Sequence, residues 1–417
     1  MQLEKYSIGV GDRFGHQGKA QLSALVKAKL NGVDIVPVWN KSKREHTLIG
    51  SLPVSVKDEA VNAVKELEWK DSYYIDADHI GIKTVDDFIE HSNFFTLDVA
   101  DFINQPYDMK DFENFIARAN EFIGELKIPN VSKSFTVTKE SLGEIASRFL
   151  TAIKEAGKIY KHIEAVKGKD NFVTEVSLDE YHQAQSPEEL FFILLGLSME
   201  GIPVQTIAPK FSGRFNKGVD YVGNVDQFAR EFEDDVAVIK HAVKLFSLPG
   251  NLKLSVHSGS DKFSIYKPIS KIIKKYDAGI HLKTAGTTWL EELIGLAEAG
   301  GEGLLIAKDV YEASVARIDE LMKPYLTVVD IDVNKLPSVD DVKNWSNINF
   351  TSALRHDQSN PEFNIHFRQL LHLGYKIAAE MRNRYISALE KYDEIIAKNV
   401  SENIFERHIK PLFLDSK

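Results

Sequence analysis

The sequence predicts an α/β fold, a closed (β/α)8 barrel of the TIM type in which a single domain spans residues 1–417. Eight apolar runs are too short for helices, and they are bounded by Gly, Ser and Asp residues typical of strand ends. Helical patterns separate most of these runs, and such alternation favours a parallel sheet. Eight strands close a barrel, although an open doubly wound sheet remains an alternative. The runs occupy residues 7–11, 33–38, 73–75, 94–97, 172–176, 203–207, 252–256 and 279–282.

Helix-start signals support this alternation. After the fifth run, Ser186 is suited to cap a helix, Pro187 suits its first turn, and Glu189 completes a capping box. A helix at this point would return the chain to the start of the next parallel strand. The other helical patterns follow the first, sixth and eighth runs, at residues 17–30, at residues 225–246 and from Thr288 onward.

Two regions lie outside the strand–helix repeat. Residues 101–170 form a predicted helical insertion after the fourth strand, with helices at 111–126 and 139–166, and we expect it to cover the barrel mouth. Residues 336–417 form a predicted C-terminal helical extension, in which a long helix starts at residues 360–362. We expect this extension to pack on the outside of the barrel.

The composition excludes several classes of protein. The chain has no cysteine, so disulfides, thiolate metal sites and cysteine nucleophiles are excluded. The formal net charge is -10 at pH 7, and no basic stripe interleaves with aromatic residues, so we expect no nucleic-acid partner. The most apolar window, residues 190–197, is too short to span a bilayer, and we expect a cytoplasmic protein without a membrane partner. The oligomeric state is left open.

In a (β/α)8 barrel the catalytic residues lie at the carboxyl ends of the strands. His257 and His281 each end an apolar run, and the two runs follow each other in the chain. Because neighbouring parallel strands end at the same rim, we expect the two imidazoles to converge as metal ligands do. His79 and Glu175 are further candidates at the third and fifth runs. The other polar strand-end residues are Asp12, Arg13, Asp76, Asp78, Asp98, Lys210, Lys262 and Lys283.

Three histidines and a glutamate from four strands suit one divalent cation. Neutral imidazole nitrogens together with a carboxylate oxygen favour Zn²⁺, Mn²⁺, Co²⁺ or Ni²⁺. For Glu175, a role as a metal ligand and a role in acid/base chemistry are both open. His162, His241 and His372 lie within helical patterns, and we expect them to be ordinary structural residues.

The glycines after the first run are not a nicotinamide-binding fingerprint. Gly9, Gly11 and Gly15 have the spacing G-x-G-x-x-x-G, which is one residue longer than the dinucleotide motif. The second run ends in Trp39 and Asn40 rather than in an acid that would hold a ribose. We therefore expect no nicotinamide cofactor, and we interpret the glycines as positions where the backbone passes close to a sugar.

Lys283 supports a rival interpretation. This strand-end lysine is followed by Thr-Ala-Gly, and the segment looks like the Schiff-base segment of barrel aldolases of the deoxyribose-phosphate type. A lysine in that position would form an imine with a ketose or a keto-acid sugar. The alternative, which we favour, is that Lys283 hydrogen-bonds substrate oxygens.

Four motifs at the strand ends carry a family resemblance. They are Gly11-Asp-Arg-Phe-Gly-His16-Gln-Gly, Asp76-Ala-Asp78-His79, Val256-His-Ser-Gly-Ser-Asp-Lys262 and His281-Leu-Lys-Thr-Ala-Gly286. Together they resemble the tagaturonate/fructuronate epimerase family, whose related members act on neutral ketohexoses. The resemblance covers most of the chain, from about residue 7 to residues 366–375. The combination is specific, although each motif alone is weak.

Membership of this family would imply a metal-dependent enzyme of bacterial hexuronate catabolism that interconverts D-tagaturonate and D-fructuronate. These sugars differ at C4, which is β to the ketone, so simple enolisation does not invert it. The expected route is a retro-aldol cleavage of C3–C4 through a metal-stabilised enediolate, followed by re-addition to the other face of the aldehyde. Such a route needs an electrophile at the ketone and a base at the C4 hydroxyl.

This hypothesis assigns a role to each candidate residue. His79, His257 and His281 hold the cation. Asp78 is the base and Glu175 is the partner acid, although the two roles are open to exchange. Recognition of the substrate carboxylate needs Arg or Lys. The predicted substrate-binding residues are Asp12, Arg13, Lys210, Arg214, Lys262, Lys283 and Arg355.

Three alternatives remain open from the sequence. The first is an aldolase or lyase that uses Lys283, and the second is a ketohexose 4-epimerase. The third is a sugar-binding barrel without catalysis. The density of ionisable groups at the strand ends argues against the third, since binding alone does not need so many acids.

Overall fold

The computed structural model of the protein describes residues 1–131, 133–258, 260–283 and 287–414. Eight parallel strands form a closed barrel, and a two-stranded antiparallel hairpin, β5 and β6, lies apart from it. The strands are β1 (Tyr6–Val10), β2 (Val36–Ser42), β3 (Tyr74–Ile80), β4 (Phe94–Asp98), β5 (Gly124–Leu126), β6 (Phe135–Val137), β7 (Val173–Ser177), β8 (Thr206–Ala208), β9 (Lys253–His257) and β10 (Ile280–Lys283). The barrel order is β1, β10, β9, β8, β7, β4, β3 and β2, which confirms the predicted fold.

Helices surround the barrel and continue beyond its last strand. Within the described residues, no helix combines the length and the apolar character that a membrane span requires. The helices are α1 (Gly18–Leu30), α2 (Lys43–Ile49), α3 (Val54–Glu66), α4 (Met109–Ala119), α5 (Lys139–Lys167), α6 (Pro187–Met199), α7 (Val225–Leu245), α8 (Phe263–Lys275), α9 (Thr287–Ala299), α10 (Gly301–Ala316), α11 (Ile318–Met322), α12 (Val339–Asn344), α13 (Asn347–Leu354), α14 (Ile365–Leu373), α15 (Tyr375–Glu380), α16 (Asn383–Lys391), α17 (Asp393–Glu402) and a π-helix (Asn403–Leu414).

The second and third strands extend further than their apolar runs predict. The run at residues 33–38 corresponds to β2, which reaches Ser42, and the run at residues 73–75 corresponds to β3, which reaches Ile80. The added residues are mostly polar. Because the runs were defined by apolar side chains, they end where the strands begin to carry the polar groups of the mouth.

The interior of the barrel changes from apolar to polar along its axis. At the end where the strands begin, a separate cluster of apolar side chains fills the barrel. Toward the carboxyl ends, the buried residues of the same strands include serines, threonines, acids, lysines and a histidine. The barrel therefore has an apolar base and a polar mouth. The apolar cluster consists of Leu3, Val36, Val38, Tyr74, Phe94 and Val173.

The side chains of Asn40 and Lys283 lie so close to Gly9 of β1 that only glycine fits at this position. A Cβ at this residue would lie 2.9 Å from Asn40 Nδ2 and 2.9 Å from Lys283 Cγ. The missing side chain leaves room for the stem of Lys283 to cross the barrel. The glycine thus serves the packing of a lysine, where the sequence had indicated the passage of a sugar.

The insertion after β4 is only partly helical. The predicted helix at residues 111–126 is wrong beyond Phe122, because α4 ends at Ala119 in a 3-10 turn (Asn120–Phe122) and the chain then forms β5, which pairs with β6. The predicted helix at residues 139–166 is confirmed as α5. It packs against β4, α4 and α6 and forms the crossover between the neighbouring strands β4 and β7. The expectation that residues 101–170 cover the mouth stays a prediction.

The C-terminal extension is a series of short helices rather than one long helix. Residues 360–362 are not helical, and α14 begins only at Ile365, where the side chain of Asn364 caps two backbone N–H groups. Arg382, with a φ of 51°, separates α15 from α16. α17 packs against α1 and α9, and the π-helix packs against α1 and α8. These contacts hold the extension against the outer helices of the barrel.

A buried carboxylate ties this extension to the loop after β9. One oxygen of Asp261 lies 3.0 Å from His356 Nδ1 and 2.8 Å from the Arg368 guanidinium, and the other lies 3.0 Å from His408 Nε2. Burial alone would raise the pKa of Asp261, but Arg368 and the two histidines hold it well below its usual range. The loop is therefore anchored to three distant segments of the chain.

Substitution of Gly295 tests the contact between α9 and α17. A Cβ at residue 295 would lie 2.8 Å from both Cα and Cγ1 of Ile396, so the backbone has to shift. We expect Gly295→Ala to lower the free energy of unfolding by about 1–3 kcal/mol in denaturant titrations. Gly250→Ala is the control, because no atom lies within 4 Å of its Cβ position. Equal effects of the two substitutions would contradict the packing described.

Candidate active site

A buried lysine at the end of β10 organises the mouth of the barrel. The Nζ of Lys283 lies 2.8 Å from an oxygen of Asp76 and 2.9 Å from an oxygen of Asp78. It also lies 3.0 Å from Glu175 and donates to Thr96 Oγ1 over 2.6 Å. Burial alone would lower the pKa of Lys283, but the three carboxylates raise it well above its ordinary value. The side chain is therefore an ammonium at neutral pH.

The three carboxylates around this lysine are not equivalent. Burial raises the pKa of Asp76 to about 7, against the opposing effect of Lys283. Burial would also raise the pKa of Asp78 and Glu175, but Lys283 is the strongest of the influences that hold both below their usual range. Asp78 and Glu175 are thus ionised at neutral pH, whereas Asp76 titrates close to it.

Two histidines and an aspartate converge beside this lysine. His79 of β3, Asp179 in the loop after β7 and His257 of β9 each offer one ligand atom, and these atoms lie within 4.8 Å of one another. The Oδ1 of Asp179 is 3.5 Å from His79 Nε2 and 3.2 Å from His257 Nδ1. The Nδ1 of His257 is buried, and Asp179 is its partner. One nitrogen from each imidazole and one oxygen of the carboxylate form a donor set that fits a divalent transition metal.

Carboxylates hold both imidazoles of this group. His79 Nδ1 lies 2.9 Å from Asp78 Oδ1, and His257 Nε2 lies 2.8 Å from Glu175 Oε1. His79 also has a φ of 52°, in the left-handed region that residues other than glycine rarely adopt. A carboxylate on the second nitrogen fixes the tautomer and the orientation of a metal-binding imidazole. Asp78 and Glu175 therefore link Lys283 to both histidines.

His281 lies deeper in the barrel than this group. It is fully buried, and its Nδ1 lies 2.9 Å from Ser7 Oγ. The register pairs His281 with Ser255, two residues before His257, so adjacent strands carry the two imidazoles in different layers. Of the three predicted metal ligands, the structure brings His79 and His257 together and does not bring His281 to them.

Asp12 and Arg13 shape the loop after β1. The carboxylate of Asp12 is buried and accepts hydrogen bonds from three backbone N–H groups of the following residues, over 2.6 to 2.8 Å. The Nε of Arg13 lies 3.2 Å from Glu45 Oε1, and its guanidinium lies 4.4 Å from the centre of the Tyr375 ring. Asp12 thus stabilises the turn, while Arg13 lies between α2 and α15.

Two arginines predicted to bind the substrate are engaged elsewhere. Arg214 is exposed and pairs with Asp330 over 2.9 Å. Arg355 pairs over 2.6 Å with Glu298, a residue of the outer helix α9. The structure does not bring either guanidinium to the group of His79, Asp179 and His257.

Two predicted lysines lie in the loops that follow strand ends. Lys210 is half-buried, two residues after β8, and its backbone N–H donates to Gln185 Oε1 over 2.7 Å. Lys262 is fully buried after β9, and its ammonium donates to backbone carbonyls of the loop after β8. Residues 259 and 284–286 of the family motifs lie outside the described residues.

The sequence reasoning missed Asp179. This residue lies two positions beyond the end of β7, whereas the apolar run pointed to Glu175 within the strand. An acid up to three positions after a predicted strand end is the signal that would have found it. Asp98 lies at the end of β4, as its place among the predicted strand-end residues implies, and the sequence alone indicates no role for it. It is half-buried, and burial raises its pKa to about 6.

The pH dependence of stability tests the burial of His281. Burial lowers its pKa to about 3, from an ordinary value of 6.5. Between these values the unfolded chain binds a proton that the folded chain does not, so stability falls as the pH drops from 6.5 towards 3. We expect the stability of the wild type relative to His281→Asn to fall by up to about 1.4 kcal/mol per pH unit in this window, measured by denaturant titration. Parallel pH profiles of the two proteins would contradict this placement.

Comparison with known proteins agrees with the fold and the motifs. A family model described as tagaturonate epimerase matches residues 1–412. The tagaturonate/fructuronate epimerase of Thermotoga maritima is 28% identical over 424 residues, which cover 97% of this chain and 80% of that protein.

Solved structures share the architecture of the whole chain. The native crystal structure of the fructuronate-tagaturonate epimerase UxaE from Cohnella laeviribosi aligns with a TM-score of 0.80 at 22% identity, covering 99% of this chain and 82% of that one. A crystal structure of the same enzyme with one glycerol bound has a TM-score of 0.80 at 23% identity, with the same coverage. Because the family model spans almost all 417 residues, the chain belongs to the tagaturonate epimerase family and is a carbohydrate epimerase, an isomerase.

Proposed function

We propose that the protein interconverts D-tagaturonate and D-fructuronate at the carboxyl end of the barrel, with a divalent cation held by His79, Asp179 and His257. The observation that carries this proposal is the convergence of three ligand atoms within 4.8 Å, beside a lysine paired with three carboxylates. Family membership supplies the substrate class. The name of the Thermotoga relative supplies the second sugar of the pair.

The reaction must invert a carbon whose hydrogen is not acidic. C4 is β to the ketone, so a base that removes its hydrogen gains nothing from the carbonyl. Removal of the C4 hydroxyl proton lets the C3–C4 bond break, with its electron pair passing to the ketone as an enediolate and C4 becoming an aldehyde. Rotation of the aldehyde and re-formation of the bond on the other face give the epimer. No oxidant or reductant is needed.

The residues at the mouth suit the two requirements of this reaction, an electrophile at the ketone and a base at the C4 hydroxyl. A divalent cation, when bound, supplies Lewis acidity that polarises a ketone. Asp78 and Glu175 keep the imidazoles of His79 and His257 oriented, and Lys283 keeps both carboxylates ionised. The ammonium adds positive charge beside the site where the enediolate forms, which favours a negatively charged intermediate.

We assign the two proton-transfer roles to Asp78 and Asp98. Asp78 is ionised, and 13% of its side chain is exposed, so a substrate hydroxyl can reach it as a base. Asp98 ends β4, which pairs with the strand that carries Asp78 and His79. Burial raises its pKa to about 6 against the lowering effect of His79, which suits a group that holds a proton in one half of the reaction and releases it in the other. Glu175, predicted as the partner acid, is fully buried between His257 and Lys283, and in this proposal it orients them.

The charge state of Lys283 bears on the rival imine mechanism. Imine formation needs a neutral amine with a free electron pair. Three carboxylates raise the pKa of Lys283 against the lowering effect of burial, and they stabilise the ammonium. This environment favours a role in electrostatics and hydrogen bonding over a role as a nucleophile.

Removal and replacement of metal test the cation site. We expect chelator treatment to abolish epimerisation of D-tagaturonate, assayed by chromatography, and add-back of Zn²⁺, Mn²⁺, Co²⁺ or Ni²⁺ to restore it. Asp179→Asn should weaken metal binding at least about 10-fold in a competition assay with a chromogenic chelator. Asp277→Asn is the control, since this exposed acid pairs with Lys5 just before β10, at the opposite end of the barrel. Full activity of the chelated, metal-free protein would refute the cation site.

Substitution of the two acids tests the proton-transfer roles. We expect Asp78→Asn and Asp98→Asn each to lower kcat by about 100- to 10,000-fold, because each removes one proton acceptor. Metal content and circular dichroism should remain those of the wild type for Asp98→Asn. Asp101→Asn is the matched control, as this acid is exposed and lies three residues beyond Asp98. A wild-type kcat in Asp98→Asn would remove Asp98 from the reaction.

A further inference from the structure

Buried donors fix the loop at residues 216–219, which follows β8. The ammonium of Lys262 donates to two backbone carbonyls of this loop, over 3.0 and 2.7 Å. The guanidinium of Arg368 donates to a third carbonyl over 2.6 Å. Lys262 and Arg368 are both fully buried. Two cations that the proposed reaction does not use therefore hold the backbone of one loop.

Lys217 lies in the middle of this fixed loop. Its backbone N–H donates to the Val328 carbonyl over 2.8 Å, and its carbonyl accepts from Gln369 Nε2 over 3.4 Å. Its side chain is half-buried, and its ammonium has no hydrogen bond or ion pair with any residue that the structure describes. A cation on a fixed backbone without an anionic partner is a suitable position for an anionic ligand.

His372 of α14 packs directly against the loop. A Cβ on Gly218, which has a φ of 75°, would lie 3.1 Å from the Cβ of His372. The imidazole is 2% exposed, and its Nδ1 makes no hydrogen bond within the described residues. A buried ring nitrogen without a partner costs free energy, unless a ligand supplies the missing contact.

Arg13 approaches the same region from the loop after β1. Its guanidinium packs on the ring of Tyr375, three residues after His372 in the chain. Glu45 lies 3.2 Å from Nε, yet Nε and one terminal nitrogen of Arg13 donate no hydrogen bond in the described structure. Arg13 thus has buried donors to spare.

The charged groups that act most strongly on His372 are cations. Burial is the largest cause that lowers its pKa well below the ordinary value, and the next are Arg13 and Lys217. Lys262 and Arg368 act in the same direction, and no carboxylate is among these main influences. Because Arg13 and Arg368 also contact the carboxylates of Glu45 and Asp261, the ammonium of Lys217 supplies the uncompensated positive charge.

We propose that Arg13, Lys217 and His372 bind the carboxylate of the sugar acid, an inference that rests on the proposed function. A guanidinium, an ammonium and an imidazole N–H supply charge-assisted hydrogen bonds to the two carboxylate oxygens. β8 lies between β7 and β9 in the barrel, and these strands lead to Asp179 and His257. The loop after β8 therefore borders the group that would hold the cation.

This subsite would select a sugar acid over the corresponding neutral ketohexose. If a hydroxymethyl group replaces the carboxylate, the cationic side chains of the subsite have no anion to bind. Their buried donors then lack acceptors, which lowers the affinity for the neutral sugar. Arg214 and Arg355 do not compete for this role, because their guanidinium groups already pair with Asp330 and Glu298.

Kinetics with a charged and a neutral sugar test the subsite. We expect Lys217→Gln to raise the KM for D-tagaturonate by about 10- to 100-fold with little change in kcat, the loss of one hydrogen bond to a charged group. The inhibition constant of neutral D-tagatose should not change. Arg13→Lys, which keeps the charge and removes the planar fork, should also raise the KM. Lys83→Gln is the matched control, since Lys83 is exposed and follows β3.

Calorimetry separates a failure of the subsite from a failure of the proposed function. If the wild type binds D-tagaturonate without epimerising it, the proposed function fails. The subsite can still be tested in that case, because the affinities of the wild type and of Lys217→Gln for D-tagaturonate can be compared. Equal affinities of these two proteins would overturn the inference, as would a wild type that does not bind D-tagaturonate. An equal loss in Lys83→Gln, or an equal loss of D-tagatose binding, would also overturn it.

Discussion

The contact between Lys283 and three carboxylates is the interaction on which the rest of the site depends. A charge inside a barrel costs several kcal/mol unless a partner compensates it, and removing one partner of a buried pair is strongly destabilising. Here one ammonium lets several acids coexist in a small volume. Because Asp78 and Glu175 reach from Lys283 to His79 and His257, the charge of one lysine also decides how both imidazoles are oriented.

A second set of buried charges fixes the loops around that centre. Arg368 donates both to Asp261, in the loop after β9, and to the Gly218 carbonyl, in the loop after β8. Lys262, which lies in the loop after β9, also donates to carbonyls of the loop after β8. The C-terminal extension thus does more than cover apolar helices, since its arginine couples two loops that border the proposed cation site. Rigid supports of this kind keep catalytic groups within tenths of an ångström of a working geometry.

The sequence predicted the barrel because apolar runs and helix signals alternate, and these signals are local. It predicted His79 and His257 at the mouth because the rule for strand ends needs only the end of each run. The sequence did not show that His281 lies deeper in the barrel than His79 and His257. The depth of a side chain depends on the register between neighbouring strands, which a single apolar run does not reveal. Likewise, the hairpin after Ala119 and the breaks in the C-terminal extension depend on tertiary contacts that override a helical pattern. The unused donor of His372 is visible only when its neighbours are known.

The buried carboxylate of Asp261 also has a consequence for synthesis. Its partner His408 lies 147 residues further along the chain. At about 5–20 residues per second, a ribosome needs roughly 7 to 30 seconds to add that length. During this interval the eight strands can already have emerged, while Asp261 still lacks the last of its three partners. A nascent barrel of this kind would expose the surface of α1 and α8 to chaperones until the last helical turns arrive.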